Sequence, residues 1–207
     1  MEKQFVFTED WFSAHDLVEF LPVGTSDEYH VLEIGSFEGK STVWFLENLL
    51  RNKHSSITCV DPWTGYSQDN DSFASYKKES TEWNFTIHYD TFVHNVGLTN
   101  KWNQVTIKKG LSHSILPKLM TEGNTYDLVF IDGNHTSPFV LTDAIMTWYL
   151  LKPGGLMIFD DYLLDLGGEG FESTLNPKLA VDCFLKVFAD YTEVIWDEWR
   201  KAVRKIK

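Results

Sequence analysis

Apolar and polar positions along this chain follow two alternating periods. Short apolar stretches of strand length fall at Tyr29–Ile34, Ser56–Val60, Val105–Lys108, Tyr126–Ile131 and Leu156–Phe159. The fourth contains the run Leu128-Val129-Phe130-Ile131, as expected of a strand covered on both faces. Between the stretches the period lengthens to that of amphipathic helices. One is predicted over 10–20, with Trp11, Phe12, Leu17, Val18 and Phe20 on its apolar side. Another runs from Lys40 to Arg51 on Val43, Leu46, Leu49 and Leu50. A third covers 138–151 and is stopped by Lys152-Pro153-Gly154-Gly155, and a fourth covers 178–189. Two strands near 191–196 and 201–206 close the chain. The alternation predicts an α/β sandwich around a mainly parallel sheet. Residues 62–100 break the rhythm with Trp63, Tyr66, Phe73, Tyr76, Trp83, Phe85, His88 and Tyr89. They read either as helix plus loop over the strand ends, where substrate would enter, or as a connector with buried aromatics.

Composition narrows the picture in three ways. The length of 207 residues, 43% hydrophobic, suits one domain (1–207) with residues 1–28 as a helical lead-in. No apolar run reaches the roughly 18 residues that would span a bilayer, so no membrane partner is expected. Met1-Glu2-Lys3-Gln4 lacks the features of a secretory signal, and Cys59 and Cys183 lack metal-ligand spacing. The expectation is free thiols in the cytoplasm. Finally, the formal net charge of −12 repels a polyanion such as nucleic acid at long range. The basic tail Arg200–Lys207 reads instead as a final edge strand whose lysines discourage pairing with other chains. Oligomeric state is not legible, and a homo-oligomer fits as well as a monomer.

The chemistry concentrates in Val31-Leu32-Glu33-Ile34-Gly35-Ser36-Phe37-Glu38-Gly39-Lys40-Ser41-Thr42, a strand, a glycine turn and a helix start. Gly39-Lys40-Ser41 resembles the end of a phosphate-binding loop. That motif needs its first glycine at position 34, and here the glycine is Gly35, so a phosphotransferase or NTPase is only the alternative. A dinucleotide fingerprint would need glycines where Phe37 and Lys40 stand. S-adenosylmethionine (SAM) fits better. Gly35 and Gly39 permit a tight turn around Ser36 and a close backbone approach. Glu33 can accept from an ammonium, and the helix opening at Lys40–Thr42 can face a carboxylate. Asp61, ending the second strand, can accept both ribose hydroxyls.

Four segments then occur in order: Val31–Gly39, Val60-Asp61-Pro62-Trp63, Tyr126–His135 and Leu151–Tyr162. Together they resemble a class I SAM-dependent methyltransferase, and more narrowly the small-molecule O-methyltransferase-like group of antibiotic-sugar and catechol-type enzymes. The resemblance spans about residues 29 to 162. It implies a Rossmann-like, doubly wound sandwich whose seven-stranded, mostly parallel sheet has its last strand antiparallel. It also implies that Gly110, Leu111 and Ser112 lie near the adenine.

Asp132, Asp160 and Asp161 end neighbouring strands and should converge. Clustered carboxylates repel unless protonated or metal-bound, so Mg²⁺ or another divalent cation is expected on these three. In the resembled group, matching acidic residues hold a metal that chelates substrate hydroxyls. His135, three residues after Asp132, suits a general base, with Asp132 beside it as the second catalytic residue. Some related sugar methyltransferases have Asp where this chain has Asn134, which places the role on His135. The expected function is methyl transfer from SAM to a hydroxyl of a small molecule. A non-catalytic SAM-binding module is a further alternative. The segment 62–100 and the loop Gly167-Gly168-Glu169-Gly170 are expected to shape the acceptor pocket.

Overall fold

In a computed structural model, residues 3–63, 85–166 and 173–207 are described. Seven strands form one sheet in the order β3-β2-β1-β4-β5-β7-β6. They are β1 (His30–Ile34), β2 (Ser56–Asp61), β3 (Val105–Lys109), β4 (Tyr126–Ile131), β5 (Leu151–Phe159), β6 (Thr192–Asp197) and β7 (Lys201–Lys205). The first five pair in parallel. Only β7 runs against its neighbours, antiparallel to both β5 and β6. The doubly wound, mostly parallel sheet with an antiparallel last strand is therefore present.

The continuous apolar run of β4 divides between two cores because side chains alternate across a strand. Val129 and Ile131 join Leu32, Val60, Met157 and Phe159 on one face, under α4 (Ser112–Thr121), α5 (Ser137–Trp148) and α6 (Pro177–Val187). Leu128 and Phe130 join Val31, Ile57 and Ile158 on the other, under α1 (Leu17–Phe20), α2 (Lys40–Asn48) and α3 (Phe85–Leu98). Phe45 of α2 is fully buried and packs edge-on to Phe130, with ring centroids 5.4 Å apart.

Three expectations are corrected. The helix over 10–20 is only the four residues of α1. Upstream, Asn95 of α3 holds both the N–H and the carbonyl of Val6. The Thr8 N–H and hydroxyl donate to Glu38. Side chains of the fold thus take backbone and hydroxyl groups near the N-terminus, which lies extended across the loop after β1 rather than helical. The segment 152–155 does not follow α5 as a stop. The helix ends at Trp148, and Pro153 and Gly154 form an irregularity inside β5, where the partner of Tyr126 is Leu151 and that of Leu128 is Leu156. Last, the basic tail is not an edge strand. β7 lies inside the sheet and β6 is the edge. The Lys205 ammonium donates to the carbonyls of Trp148 and Leu151 at 2.8 Å each, and Lys201 is buried and paired with Asp197.

The helix expected within 62–100 is present as α3, while residues 64–84 lie outside the described residues. So does the expected pocket loop at 167–170. Among the described residues no helix is long and apolar enough to cross a membrane. Both cysteines are free thiols, Cys59 buried and Cys183 exposed.

Phe45 joins α2 to the sheet, so Phe45→Ala should cost about 3–5 kcal/mol, the range for emptying a buried aromatic site. A urea titration followed by circular dichroism measures it.

Candidate functional site

The order β3-β2-β1-β4 reverses direction between β1 and β4, and an open parallel sheet leaves a crevice at such a point, beyond the strands' C-terminal ends. The predicted loop lies there. Gly35 has φ +85°, and a Cβ on it would stand 2.0 Å from the carbonyl oxygen of Asp132. Gly39, at φ +81°, begins α2 and would meet the Phe92 ring at 2.9 Å. Both positions need glycine for conformation and for space. Among the described residues no side chain caps the start of α2.

Two buried carboxylates set the loop's shape. Glu33 in β1 is fully enclosed and accepts from the hydroxyls of Ser36 (2.6 Å), Ser41 (2.7 Å) and Thr42 (2.5 Å). Burial pushes its carboxyl above the ordinary range, against the pull of these hydroxyls. Asp61 at the end of β2 accepts the N–H groups of Ser36 and Phe37 at 3.0 Å and of Trp63 at 2.7 Å. Burial raises it too, against those same donors. A carboxylate has about four acceptor positions, so Asp61 retains one beyond the loop. Glu33, expected to meet an ammonium, has its oxygens turned to three hydroxyls of its own chain. Lys40 turns away, pairing with Asp10 and lying 5.9 Å from the Phe7 ring centroid.

Across the crevice, Asp132 follows β4, and its N–H donates to the carbonyl of Ile34. Burial, then the neighbouring Asp160 and Asp161, hold its carboxyl well above the usual range. His135 Nδ1 lies 3.3 Å from Asp161 Oδ2, and one ligand atom from each of Asp132, His135 and Asp161 falls within 4.8 Å of the others. The expected trio of aspartates is thus divided. Asp160 is 5% exposed and pairs with Arg200, the residue before β7, which also pairs with Asp16 before α1. Burial pushes Asp160 up to about 6, although Arg200 pulls the other way. Asn134 is occupied at the entrance to α5, where its Oδ1 accepts the N–H (2.9 Å) and hydroxyl (2.8 Å) of Thr136.

The turn after β3 completes this end of the sheet. The Gly110 N–H donates to the Asp61 carbonyl at 3.0 Å. Leu111 is exposed, and Ser112 opens α4. Sequence reasoning passed over α4 itself and two partners of the site. Arg200 was read only as part of a basic tail. Asp143 was read only within a helix, yet it is buried with one oxygen that has no hydrogen-bond partner among the described residues. A charged residue at an otherwise apolar helical position was the available signal.

The Methyltransferase domain family matches residues 32–162, and this chain belongs to it, within the class I SAM-dependent methyltransferase superfamily. A catechol O-methyltransferase of Niastella koreensis is 25% identical over 169 residues, covering 74% of this chain and 64% of that protein. An uncharacterised protein of Acanthamoeba polyphaga mimivirus is 29% identical over 137 residues, 66% of this chain and 52% of the relative. The chain thus spans between about half and two thirds of these relatives. The O-methyltransferase TomG of Streptomyces achromogenes, solved with SAM, shares the fold with a TM-score of 0.62 at 18% identity over 86% of this chain and 74% of that one. An O-methyltransferase of Bacillus cereus, solved with S-adenosylhomocysteine, does so with a TM-score of 0.60 at 18% identity and the same coverages.

Two outcomes follow. Gly35→Ala places a methyl group against the Asp132 carbonyl, so β1 and β4 must separate there. Ligand affinity at the crevice should fall at least tenfold, read by calorimetry, with a lowered thermal midpoint. Burial pushes Asp143 up to about 6, so the folded protein holds a proton that the unfolded chain has released. This carboxyl contributes stability below about pH 4 that is lost as pH rises through about 6. Asp143→Leu should flatten the midpoint-against-pH curve across that interval, by at most about 3 kcal/mol.

Proposed function

We propose that the protein transfers the methyl group of SAM to a hydroxyl of a small molecule, with His135 as the base that takes the hydroxyl proton. The observation that carries this reading is His135 at 3.3 Å from Asp161, with a ligand atom within 4.8 Å of one on Asp132. Bound ligands in the TomG and B. cereus structures support the choice of cofactor. The catechol O-methyltransferase relative supports a hydroxyl acceptor.

When bound, SAM would supply an electrophilic methyl on its sulfonium, to which the acceptor oxygen bonds in line as the carbon–sulfur bond breaks and S-adenosylhomocysteine leaves. The chain's part is alignment and proton removal. The uncapped start of α2 faces the amino-acid end, where helix N–H groups favour a carboxylate. Asp61 offers its remaining acceptor position to ribose, and Leu111 offers an apolar face to the base. Asp161 orients the imidazole, and the negative charge of the pair favours its protonated form after the proton moves. Lys40, engaged by Asp10, speaks against a phosphate at this loop.

A second reading has its own observation. Two carboxylates and an imidazole within 4.8 Å fit a divalent cation such as Mg²⁺ or Mn²⁺. Asp132, Asp161 and His135 would hold it, and a cation there would lower the acceptor hydroxyl's pKa. Asp160, neutralised by Arg200, would then stand behind the site as a support.

Calorimetry with SAM and with ATP tests the cofactor, and binding of ATP without SAM overturns the reading. Turnover is then followed as S-adenosylhomocysteine release with catechols and pyranosides as acceptors. His135→Ala should lower kcat about 10²–10⁴-fold and leave SAM affinity within twofold. Activity that survives EDTA selects the metal-free arrangement, and activity lost to EDTA and restored by Mg²⁺ selects the other.

A further inference from the structure

The short turn between β6 and β7 returns to the crevice. β7 runs antiparallel to β5 with Lys201 opposite Phe159, so residues 198–200 lie beside the C-terminal end of β5. The Leu163 N–H donates to the Trp199 carbonyl at 3.3 Å, which fastens the turn to the chain that follows β5. Within the turn, adjacent residues take adjacent acids. Arg200 takes Asp160, and the Trp199 indole N–H donates to Asp161 Oδ1 at 3.3 Å. The other oxygen of Asp161, Oδ2, is the one that lies 3.3 Å from His135 Nδ1. Trp199 is 51% exposed, so burial in a core does not account for its place.

We infer that Trp199 is a positioning residue for the base His135, acting through Asp161. This rests on the methyl-transfer reading above. The main chain of Asp161 is already fixed, since its carbonyl accepts the Leu164 N–H at 3.0 Å. The terminal torsion of an aspartate is broad, however, and the carboxylate turns unless its oxygens are engaged. With Oδ1 held by the indole, Oδ2 stays toward the imidazole. A carboxylate at Nδ1 keeps the ring proton on that nitrogen and leaves Nε2 to take the proton of the acceptor hydroxyl. The kind of donor matters. An indole N–H is neutral and aims a carboxylate without cancelling its charge, whereas a guanidinium does both. One turn therefore neutralises Asp160 through Arg200 and only orients Asp161 through Trp199, so that the charge facing the imidazole is kept for the imidazolium formed when the proton moves.

A double-mutant cycle on the full chain tests this, with kcat read as S-adenosylhomocysteine release from SAM with catechol and with a methyl pyranoside as acceptors. Trp199→Phe keeps a ring and loses the N–H. Its kcat should fall about three- to tenfold, the weight of one hydrogen bond, while KM for SAM and for the acceptor stays within about twofold. In the His135→Ala background the same substitution should change kcat by less than about 1.5-fold, because no imidazole is left to aim. The position is half exposed, so the thermal midpoint of Trp199→Phe should stay within about 2 °C of the wild-type value. A side chain that merely packed the turn would lower activity equally in both backgrounds, and one that merely packed the acceptor would raise its KM. Either result, or an unchanged kcat in Trp199→Phe, overturns the inference and leaves the methyl-transfer reading standing. Wild-type protein that turns over neither acceptor, or His135→Ala that keeps the wild-type kcat, overturns that reading and the inference with it.

Discussion

The site depends on the buried carboxylate of Glu33. It stands in β1, inside the sheet, with no access to solvent, and three hydroxyls three to nine residues on converge on it. Hydrogen bonds to a charged or partly charged acceptor in a low-dielectric interior are among the stronger local restraints. They join the end of β1 to the first turn of α2 and force the intervening chain into a tight loop. Gly35 and Gly39 make that loop sterically possible, and Asp61 holds its outward N–H groups. The start of α2 is thereby left uncapped and aimed at the crevice.

Charge neutralisation organises the opposite wall. Three aspartates lie near one another at the ends of β4 and β5, and burial pushes the carboxyls of Asp132 and Asp160 above their ordinary range. Arg200 engages one of them and ties it to Asp16 near the N-terminus. The other two face His135. This division separates a structural carboxylate from two that border the crevice. It also joins both chain ends to the site, because the partners of Asp160 come from the segment before α1 and the turn before β7.

Much of this was legible in the chain. The apolar run of β4 announced a strand buried on both faces, and alternation of strand and helix announced a parallel sheet. Glu33, the two glycines and Asp61 could be placed because strand-end loops combine residue types seldom found together. Other parts were not legible for a common reason. The segment 10–20 has an amphipathic period, but only Leu17–Phe20 is helical, and just upstream Asn95 and Glu38, 30 or more residues away in sequence, hold Val6 and Thr8. Pro153 and Gly154 punctuate helices in general, yet here they kink a strand whose hydrogen bonds resume at Leu156. The basic tail had the look of an edge, but the order of β6 and β7 places it inside.

The sequence by itself determined the fold class and the glycine loop between β1 and α2, since period, glycine spacing and strand-end acids are local properties of the chain. Tertiary structure alone decided what each acid does. Glu33 and Asp61 were expected as ligand groups, and folding directs much of their capacity to the loop itself. Asp132, Asp160 and Asp161 carry the same functional group, and only the arrival of Arg200 at Asp160 and of His135 at Asp161 makes them different. A carboxylate's role follows from its dielectric surroundings and its partners, and both are set by residues far away in sequence.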